Sequence, residues 1–280
     1  MKRLIFLVLL SPVFLSAQWH VNVFGGFSNY SGDLQNKFFT INESYAAFGL
    51  AAQFDLTNHF SLVSGINIGH VGAADRYNKP ALQSRNLSFQ TNIDEGTLIG
   101  EYNLFDLADK RFTPYVFAGL AVYHFNPYAY DSLNQKTYLK PLSTEGEGLP
   151  QYPDRKPYSL TQLAIPFGGG IKLRVSDNVT IAYEISFRKL FTDYLDDVST
   201  SYVSEAVLLS EKGPEAVEMS YRGNEVKNGS QTYPAAGAER GDPKSKDWYY
   251  YSGIRVSIGI GNMSGLDKRS KSSISCPPKM

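Results

Sequence analysis

The residues of this chain that could do chemistry are four histidines, several serines and a run of aspartates. The histidines are His20, His59, His70 and His124. They are widely scattered, without the spacing of a metal site and without matching cysteines. A nucleophilic pair can be drawn from His124 with Ser159 or Ser186, but the sequence suggests no acid partner for it. We therefore expect a protein that is not an enzyme.

Two further motifs are typical of ligand sites but lack the rest of the pattern. Asp193, Asp196 and Asp197 resemble a calcium cluster, yet calcium loops need more oxygen ligands at defined steps, so we expect a solvated loop tip. Gly168 to Gly170 lie inside a strand pattern, without the strand–turn–helix setting of a phosphate loop. They favour a tight bend or a close backbone approach instead. No cofactor and no metal are expected.

Any functional residues must be positioned by eight segments in which apolar and polar side chains alternate. Their approximate ranges are 18–30, 44–56, 58–72, 85–104, 111–126, 158–175, 178–191 and 247–262. In the clearest, Val179 to Lys189, apolar side chains alternate with polar and charged ones. A period of two with such different faces predicts strands that lie between two different environments.

The connections between these segments alternate in length. Those near 56–58, 105–110 and 175–178 are short, and those near 31–43, 73–84, 127–157 and 192–246 are long and polar. This order is typical of outer-membrane barrels, which have tight periplasmic turns and longer outer loops. The sequence therefore predicts an all-β, eight-stranded antiparallel transmembrane β-barrel with periplasmic termini. A secreted sandwich or lipocalin-like barrel is the alternative, but nothing in it would sort loops by length.

The first residues have the pattern of an export signal. Lys2 and Arg3 precede the apolar run Leu4 to Leu10, and Leu15-Ser16-Ala17 forms a cleavage site. We expect a signal peptide at 1–17, a barrel at 18–262 and a periplasmic tail at 263–280. The long outer loops fall at about 127–157 and 192–246. Lys plus Arg (27) equals Asp plus Glu (27), which argues against a nucleic-acid partner. The predicted transmembrane barrel would be surrounded by outer-membrane lipid.

Charged residues on the polar faces of the strands are expected to fill the lumen. The candidates are Glu95, Glu101, Lys172, Arg174, Glu184, Arg188 and Arg255. Because an unpaired buried charge is costly, both signs should pair across the lumen and leave no diffusion pore. A cluster of aromatic residues, Trp248 to Tyr251, suits a membrane interface, as do Trp19 and Tyr30 around the first strand. Ordinary aromatic packing is the alternative for each of them.

Several long segments resemble the PorG family of outer-membrane barrels in Bacteroidota. The segments are Arg85–Phe89 with Glu95-Gly96, Phe112–Tyr115 with Gly119, Gly146-Glu147-Gly148, Tyr152–Leu163, Arg188-Lys189, Phe191–Ser199, Arg240-Gly241 and Lys246–Tyr249. The likeness covers nearly the whole mature chain. It implies a subunit of the type IX secretion system that associates with a periplasmic ring of PorK-type lipoprotein and PorN-type protein. That machine exports and attaches surface proteins, including gliding adhesins in some members.

The segment after Gly261 suggests a contact with that ring. It carries the basic residues Lys268, Arg269 and Lys271 and ends in Cys276 followed by two prolines. Members of the similar family tend to end in a Cys-Pro tail. An unpaired cysteine in the oxidising periplasm suggests an intermolecular disulfide. We expect Cys276 to bridge to the ring lipoprotein, and the alternative is an idle thiol.

The segment after the seventh strand is expected to fold over the barrel mouth. There Tyr194, Asp196 and Asp197 should meet Arg155 and Lys156 of the neighbouring long loop through charge-assisted bonds and form a lid. A binding surface for a translocon partner is the alternative. The leading function is a non-catalytic secretion subunit that anchors or organises the ring. A generic OmpA-like structural or adhesive barrel is second, and a lipid-modifying barrel enzyme is third.

Overall fold

The computed structural model describes residues 18–35, 37, 40–227 and 229–260. Eight long strands form the barrel. They are β1 (Gln18–Ser31), β2 (Tyr45–Asp55), β3 (Phe60–Ala74), β4 (Ser88–Asn103), β5 (Phe112–His124), β8 (Thr161–Arg174), β9 (Val179–Leu190) and β10 (Trp248–Ile260). A short hairpin, β6 (Tyr128–Tyr130) and β7 (Lys136–Tyr138), stands on the loop after β5. The strand ends predicted from sequence agree to within three residues.

The long strands close into one antiparallel barrel. Each pairs with its neighbour along the chain, β5 pairs with β8, and the pairing of β1 with β10 completes the ring. Closure leaves no free sheet edge among these strands. The prediction of an all-β, eight-stranded antiparallel barrel is confirmed.

The register fixes how wide the barrel is. Neighbouring partners lead once round it through Ser28, Tyr251, Ser186, Gly168, Phe117, Glu101, Ser61, Asp55 and Gln18. The path therefore returns to β1 ten residues before its start, from Ser28 to Gln18. Strand number and this displacement together set the diameter, and eight strands enclose little more than their own side chains.

The two ends of the barrel differ. At one end β2–β3, β4–β5 and β8–β9 are joined by 56–59, 104–111 and 175–178, and we call this the short-turn end. At the other end the described residues of the loops 32–44, 75–87, 125–160 and 191–247 fold together, and we call them the cap. The cap contains α1 (Pro80–Gln83), α2 (Glu205–Lys212) and α3 (Pro214–Ser220) besides the β6–β7 hairpin. From sequence, the stretch from Tyr202 to Leu209 could be a short helix or a strand extension. In the structure it is helical from Glu205 onward.

The cap has a core of its own that continues into the barrel. Leu142, Leu195, Val203 and Leu208 belong to the same buried cluster as Tyr123 and the other apolar side chains at that end of the lumen. The long loops are therefore packed as a folded layer and not as separate flexible arms. No helix among the described residues is long and apolar enough to span a membrane.

Candidate functional site

One layer of the lumen is built around Glu95 on β4. Arg188 donates to both of its carboxylate oxygens, from Nη2 to Oε1 at 2.7 Å and from Nε to Oε2 at 2.9 Å. Tyr249 Oη and Asn67 Nδ2 also donate to this carboxylate, at 2.7 and 2.8 Å. The guanidinium lies 4.4 Å from the ring centroid of Tyr251. Glu95 is thus bonded from several strands at once, which a buried carboxylate requires.

A second layer is built around Glu101, further along the same strand. Lys172 Nζ and Arg255 Nη2 each donate to one of its oxygens. Arg255 Nε also lies 3.3 Å from Glu184 Oε2, which accepts a 2.6 Å hydrogen bond from Tyr115 Oη. The Tyr115 ring faces both cations, 4.6 Å from Lys172 Nζ and 5.1 Å from Arg255 Cζ. The layer is therefore a connected network and not a set of separate pairs.

These two layers close the lumen. Their charged members, which we call the plug, are Glu95, Glu101, Lys172, Glu184, Arg188 and Arg255. A cavity lined by Asn22, Asn67 and Tyr251 remains beside them and offers about 50 Å³ to the centre of a water molecule. Since one water needs roughly 10 to 15 Å³ on this measure, the cavity has room for a few water molecules. Of the seven residues predicted to be lumen charges, six lie in these layers, and the seventh, Arg174, is half-buried at the end of β8. It makes no ion pair with any described residue, because it lies where the lumen opens at the short turns.

The aromatic cluster of β10 was predicted to lie at the membrane interface, but two of its four residues face the lumen. Tyr249 and Tyr251 are 0% and 2% exposed and face the lumen, where alternation places the odd residues of β10. Tyr30 is 1% exposed and also points inward. Trp19 faces outward at 51% exposure and packs against Phe54. Alternation also places Trp248 and Tyr250 on the outer wall, where they contact Phe167 and Phe187. Because neighbouring residues of a strand cannot all share one face, the four residues of the cluster cannot all lie at the membrane interface.

The outer wall of the barrel is covered by exposed apolar side chains, which we call the belt. It includes Val23, Phe27, Phe48, Leu50, Ile66, Ile68, Leu98, Val116, Leu120, Val122, Leu163, Ile171, Leu173, Tyr183, Ile254 and Ile258. Most of them are about half exposed or more, as Leu120 at 66% and Ile66 at 62% show. They come from all eight long strands. Soluble monomers rarely expose so large a continuous apolar surface.

Glu145 is the centre of the cap. It is fully buried and accepts hydrogen bonds from the amides of Ser199 and Thr200 and from the Thr200 hydroxyl, at 2.9, 2.8 and 2.6 Å. Arg240 Nη1 pairs with it at 3.0 Å and also donates to the Asp197 carbonyl at 2.6 Å. Arg240 Nε donates to the Ser220 carbonyl. One ion pair therefore ties the loop after β5 to both ends of the loop before β10.

The residues predicted to form a lid lie in the cap, but their contacts differ from those expected. Asp197 accepts from Tyr158 Oη at 2.6 Å and from Thr144 Oγ1 at 2.5 Å. Tyr194 contacts Glu145, and Arg155 donates to the carbonyls of Glu145 and Ser201. Lys156 is exposed.

The expected pairing of Asp196 and Asp197 with Arg155 and Lys156 is therefore wrong. Hydroxyl groups satisfy these aspartates, and Arg240 supplies the buried cation. Glu145 and Arg240 were not predicted as site residues. Arg240-Gly241 and the segment beginning at Gly146 stood out only through the family resemblance.

A stacked row of aromatic rings joins the lid to the lumen. Tyr123 stacks on Phe125, Phe125 on Tyr158, and Tyr158 on Tyr194, with centroids 5.5, 6.1 and 5.0 Å apart. Tyr123 begins this row on β5 inside the barrel. Movement of the lid would therefore disturb side chains inside the barrel.

The third aspartate, Asp196, binds at the barrel rim. Its Oδ2 lies 2.6 Å from Tyr30 Oη, and Asp247 Oδ1 lies 2.7 Å from the same hydroxyl. Asp193 bonds to the Ser199 hydroxyl. The three aspartates of the expected loop tip are each at most 2% exposed, so the prediction of a solvated tip is wrong. No group of acidic, histidine or cysteine side chains among the described residues is arranged to hold a metal ion.

Burial raises the pKa of several cap carboxyls. It raises the pKa of Glu147 to about 8, with the charges of Asp197 and Glu145 adding to the effect. Burial raises the pKa of Asp193 to about 7 and that of Asp197 to about 6, the latter opposed by Arg240. The cap therefore holds protons near neutral pH that the same residues would release in water.

The outer surface of the cap carries an open cleft of about 400 Å³. It lies between α2, α3 and the turn of the β6–β7 hairpin. Its lining includes Glu205, Glu218, Glu225, Tyr221 and Tyr233. Acidic groups and tyrosine rings thus face outward from the barrel.

The remaining candidate residues have structural contacts. His124 Nδ1 lies 3.0 Å from Thr161 Oγ1 on the outer wall. The Ser159 hydroxyl donates a hydrogen bond to the Thr161 carbonyl. The Ser186 carbonyl accepts a hydrogen bond from Arg188 inside the lumen. The glycines of β8 show the expected close approach, because a Cβ on Gly168 or Gly170 would meet a backbone carbonyl at 2.1 Å. The signal peptide, Lys268, Arg269, Lys271 and Cys276 lie outside the described residues.

Residues 1–208 match the family model described as a domain of unknown function, DUF6089. The chain belongs to the DUF6089 family. The match ends inside α2, so β10 of this DUF6089 protein lies beyond it. No curated protein matches the chain.

Solved structures similar to the DUF6089 protein include small bacterial surface barrels. Neisserial surface protein A is 9% identical, with 88% of this chain and 99% of that chain covered and a TM-score of 0.43. Ail of Yersinia pestis, solved with a heparin analogue, is 7% identical, with 87% and 100% covered and a TM-score of 0.39. OprG, an outer membrane protein of Pseudomonas aeruginosa, is 10% identical, with 85% and 95% covered and a TM-score of 0.38.

Proposed function

We propose that this DUF6089 protein is a non-catalytic structural barrel of the outer membrane that acts through its cap. The belt supports the membrane location, because burying half-exposed apolar side chains from every long strand requires hydrocarbon around the barrel. The long loops then face outward and the short turns face the periplasm.

The observation that carries the role is the combination of a closed lumen with a folded cap. The plug leaves space for only a few water molecules, so transport of solutes through the barrel is not its task. The cap instead holds a fixed, hydrogen-bonded surface with an open cleft. Such a surface suits contact with another molecule outside the barrel, which is a structural or adhesive role.

Three measurements on the full mature chain test this proposal. The protein should float with outer-membrane vesicles, and a planar bilayer that contains it should show no steady ion conductance. Cleavage of the cap by protease added to whole cells should confirm its outward orientation. A soluble monomer made without detergent, or a stable open channel, contradicts the proposal.

A narrower role is that of a type IX secretion subunit bound to a ring of PorK-type lipoprotein and PorN-type protein. The resemblance of the chain to the PorG family favours this role. Two of the segments that carry the resemblance, Tyr152–Leu163 and Phe191–Ser199, also supply Tyr158, Arg155, Asp196 and Asp197 to the cap. Deletion should then abolish secretion of type IX cargo. Intact secretion with altered adhesion supports the general structural role instead.

The ring contact is tested separately at Cys276. A disulfide-linked complex with the ring lipoprotein should be seen on a non-reducing gel and be lost in Cys276→Ser. A gel that shows only monomer, with normal secretion by the Cys276→Ser strain, removes the tether but leaves the membrane barrel and its cap untouched.

A further inference from the structure

Three oxygen-bearing groups meet where the cap is joined to the barrel rim. Tyr30 at the end of β1 places its hydroxyl oxygen 2.6 Å from Asp196 Oδ2 and 2.7 Å from Asp247 Oδ1. The other carboxylate oxygens are occupied, because Val198 N donates to Asp196 Oδ1 and Leu195 N donates to Asp247 Oδ2, both at 2.9 Å. All three side chains are at most 1% exposed. The two aspartates lie near opposite ends of the loop 191–247.

Counting protons shows what this arrangement requires. A phenol hydroxyl carries one hydrogen, so it can donate to only one of the two carboxyl oxygens. If both aspartates were ionised, the second contact would bring a lone pair against a charged oxygen without a proton between them. A buried contact at 2.7 Å between such oxygens is favourable only when one of them carries a hydrogen.

We propose that one proton, shared between Asp196 and Asp247 through Tyr30, locks the cap onto the barrel. Release of that proton loosens the cap, so closure is coupled to pH. We call this arrangement the proton lock. It is a conformational device distinct from the structural role proposed above, and it does not depend on any partner.

Gly32 shows that the packing around the lock is tight. A Cβ built on this residue would lie 2.0 Å from Asp247 Oδ1 and 2.1 Å from Tyr30 Oη. The chain therefore passes directly over the shared oxygens and needs a residue without a side chain there.

The groups that face the lock add negative charge or none. Asp33 comes from the loop after β1 and Asp193 from the loop before β10, and both charges act against ionisation. β4 presents the uncharged ring of Phe89 against Tyr30, and β5 presents Tyr123 near Asp247. Arg85 acts on Asp33, Lys246 on Asp193 and Arg240 on Asp197. None of these three cations is hydrogen-bonded to Asp196 or Asp247 in the described chain.

The direction of the pH effect follows from the burial of the pair. Burial first, and then neighbouring negative charge, raises the pKa of Asp196 and of Asp247 well above the ordinary range of an aspartate. Below the pKa of an aspartate in the open cap, closed and open states hold the same protons. Above it the closed cap keeps a proton that the open cap has lost, so rising pH favours opening. One proton corresponds to about tenfold in the opening equilibrium per pH unit.

Amide hydrogen exchange of the full chain in detergent micelles measures this opening. The Leu195 and Val198 amides donate directly to the locked carboxylates, so a peptide around 193–200 reports on the lock. Exchange is followed between about pH 5 and pH 8, within which a raised carboxyl pKa acts, and corrected for the intrinsic dependence of exchange on pH. We expect protection of the wild-type peptide to fall as the pH rises.

Asp196→Asn and Asp247→Asn are the decisive variants. An asparagine can accept from the same backbone amide and donate permanently to the Tyr30 oxygen, so it replaces the proton by a fixed donor. Asp193 and Glu147 still titrate, so some pH dependence remains. Each variant should therefore reduce the slope of log protection against pH by about one per pH unit. Asp154→Asn, on an exposed cap residue, is the matched control and should keep the wild-type slope.

Either of two results would overturn the proton lock. One is an Asn variant with the wild-type slope, and the other is wild-type protection that does not change with pH. Should both variants fail to fold, infrared spectroscopy of the Glu147→Gln protein at about pH 8 still decides, because Asp193, Asp197 and Asp33 are then largely ionised. A protonated carboxyl band must remain under these conditions, and its absence contradicts the proposal.

Discussion

At the scale of single residues, Arg240 is the cation that pairs with Glu145 at the centre of the cap. Its guanidinium contacts Glu145, the Asp197 carbonyl and the Ser220 carbonyl, and it is 2% exposed. The more conspicuous Arg155 bonds mainly to carbonyl groups at the edge of the cap. Removing one member of a buried ion pair leaves the other charge without compensation, and this costs more than the pair itself contributes.

Arg240→Met is expected to open the cap while the barrel stays folded. The variant leaves Glu145 buried without its cation, which should lower the free energy of cap unfolding by about 3 kcal/mol. Hydrogen exchange of peptides from 191–247 measures the loss, and heat-modifiable gel migration reports on the barrel. Arg76→Met is the control, because Arg76 is exposed and its pair with Glu43 should contribute less than about 1 kcal/mol. Equal effects of the two variants would show that burial of the pair does not matter.

Glu147 provides a second test of protonation within the cap. Burial raises its pKa to about 8, so this group favours the closed cap below the pKa of an exposed glutamate and loses that contribution as the pH rises through 8. Glu147→Gln mimics the protonated form. It should change cap protection little near pH 5 and increase it by roughly two to three orders of magnitude near pH 9, because about tenfold per pH unit accumulates between the pKa of an exposed glutamate and about 8. Glu211→Gln on the exposed face of α2 should change neither value.

At the scale of elements, the barrel strands could be predicted and the cap could not. Alternation in segments such as Val179 to Lys189 reflects a local rule, because successive side chains of a strand point to opposite faces. The contacts of Asp197 with Tyr158 and of Arg240 with Glu145 join residues far apart in the chain, and no local pattern encodes them. For the same reason the short helices α2 and α3 inside the long loop remained undetermined.

The same rule explains why the four residues predicted as an aromatic girdle cannot all lie on the outer wall. Trp248 to Tyr251 follow one another directly, so alternation divides them between lumen and wall. Tyr249 serves Glu95 inside the barrel. Counting aromatic residues near a strand end is therefore a weaker guide than assigning each one to a face.

Glycines at the narrow parts of the sheet should resist substitution. In Gly170→Ala the new Cβ would lie 2.1 Å from the Tyr183 carbonyl oxygen, so β8 and β9 must separate locally. We expect reduced assembly and a lower thermal midpoint in detergent. Gly96→Ala on β4 is the matched control, because nothing lies within 4 Å of its Cβ. A Gly170→Ala protein as stable as Gly96→Ala would contradict the close approach.

At the scale of the whole molecule, belt, plug and cap follow from one closed sheet with eight long strands. The outward positions give a continuous apolar wall, and the inward positions give an equal number of charges of each sign. Because the lumen is filled, the polar interior stabilises the barrel only if its pairs remain complete.

Breaking one pair of the plug tests this balance. Glu95→Leu leaves the Arg188 guanidinium buried without its carboxylate and should cost about 3 to 5 kcal/mol. The double variant Glu95→Leu with Arg188→Met removes both charges and should recover most of the loss. The thermal midpoint of heat-modifiable migration in detergent measures both. A double variant no more stable than Glu95→Leu alone would contradict the cost assigned to the unpaired guanidinium.

The partners of β10 also determine the order in which the protein can mature. Tyr249 and Arg255 complete both layers of the lumen from the last strand, and Asp247 fastens the loop that precedes it. Until this strand joins β1, Glu95 and Glu101 lack these partners, although they belong to a segment made much earlier. An insertion intermediate therefore has to keep its seam hydrated, and the dry interior forms only in the closing step.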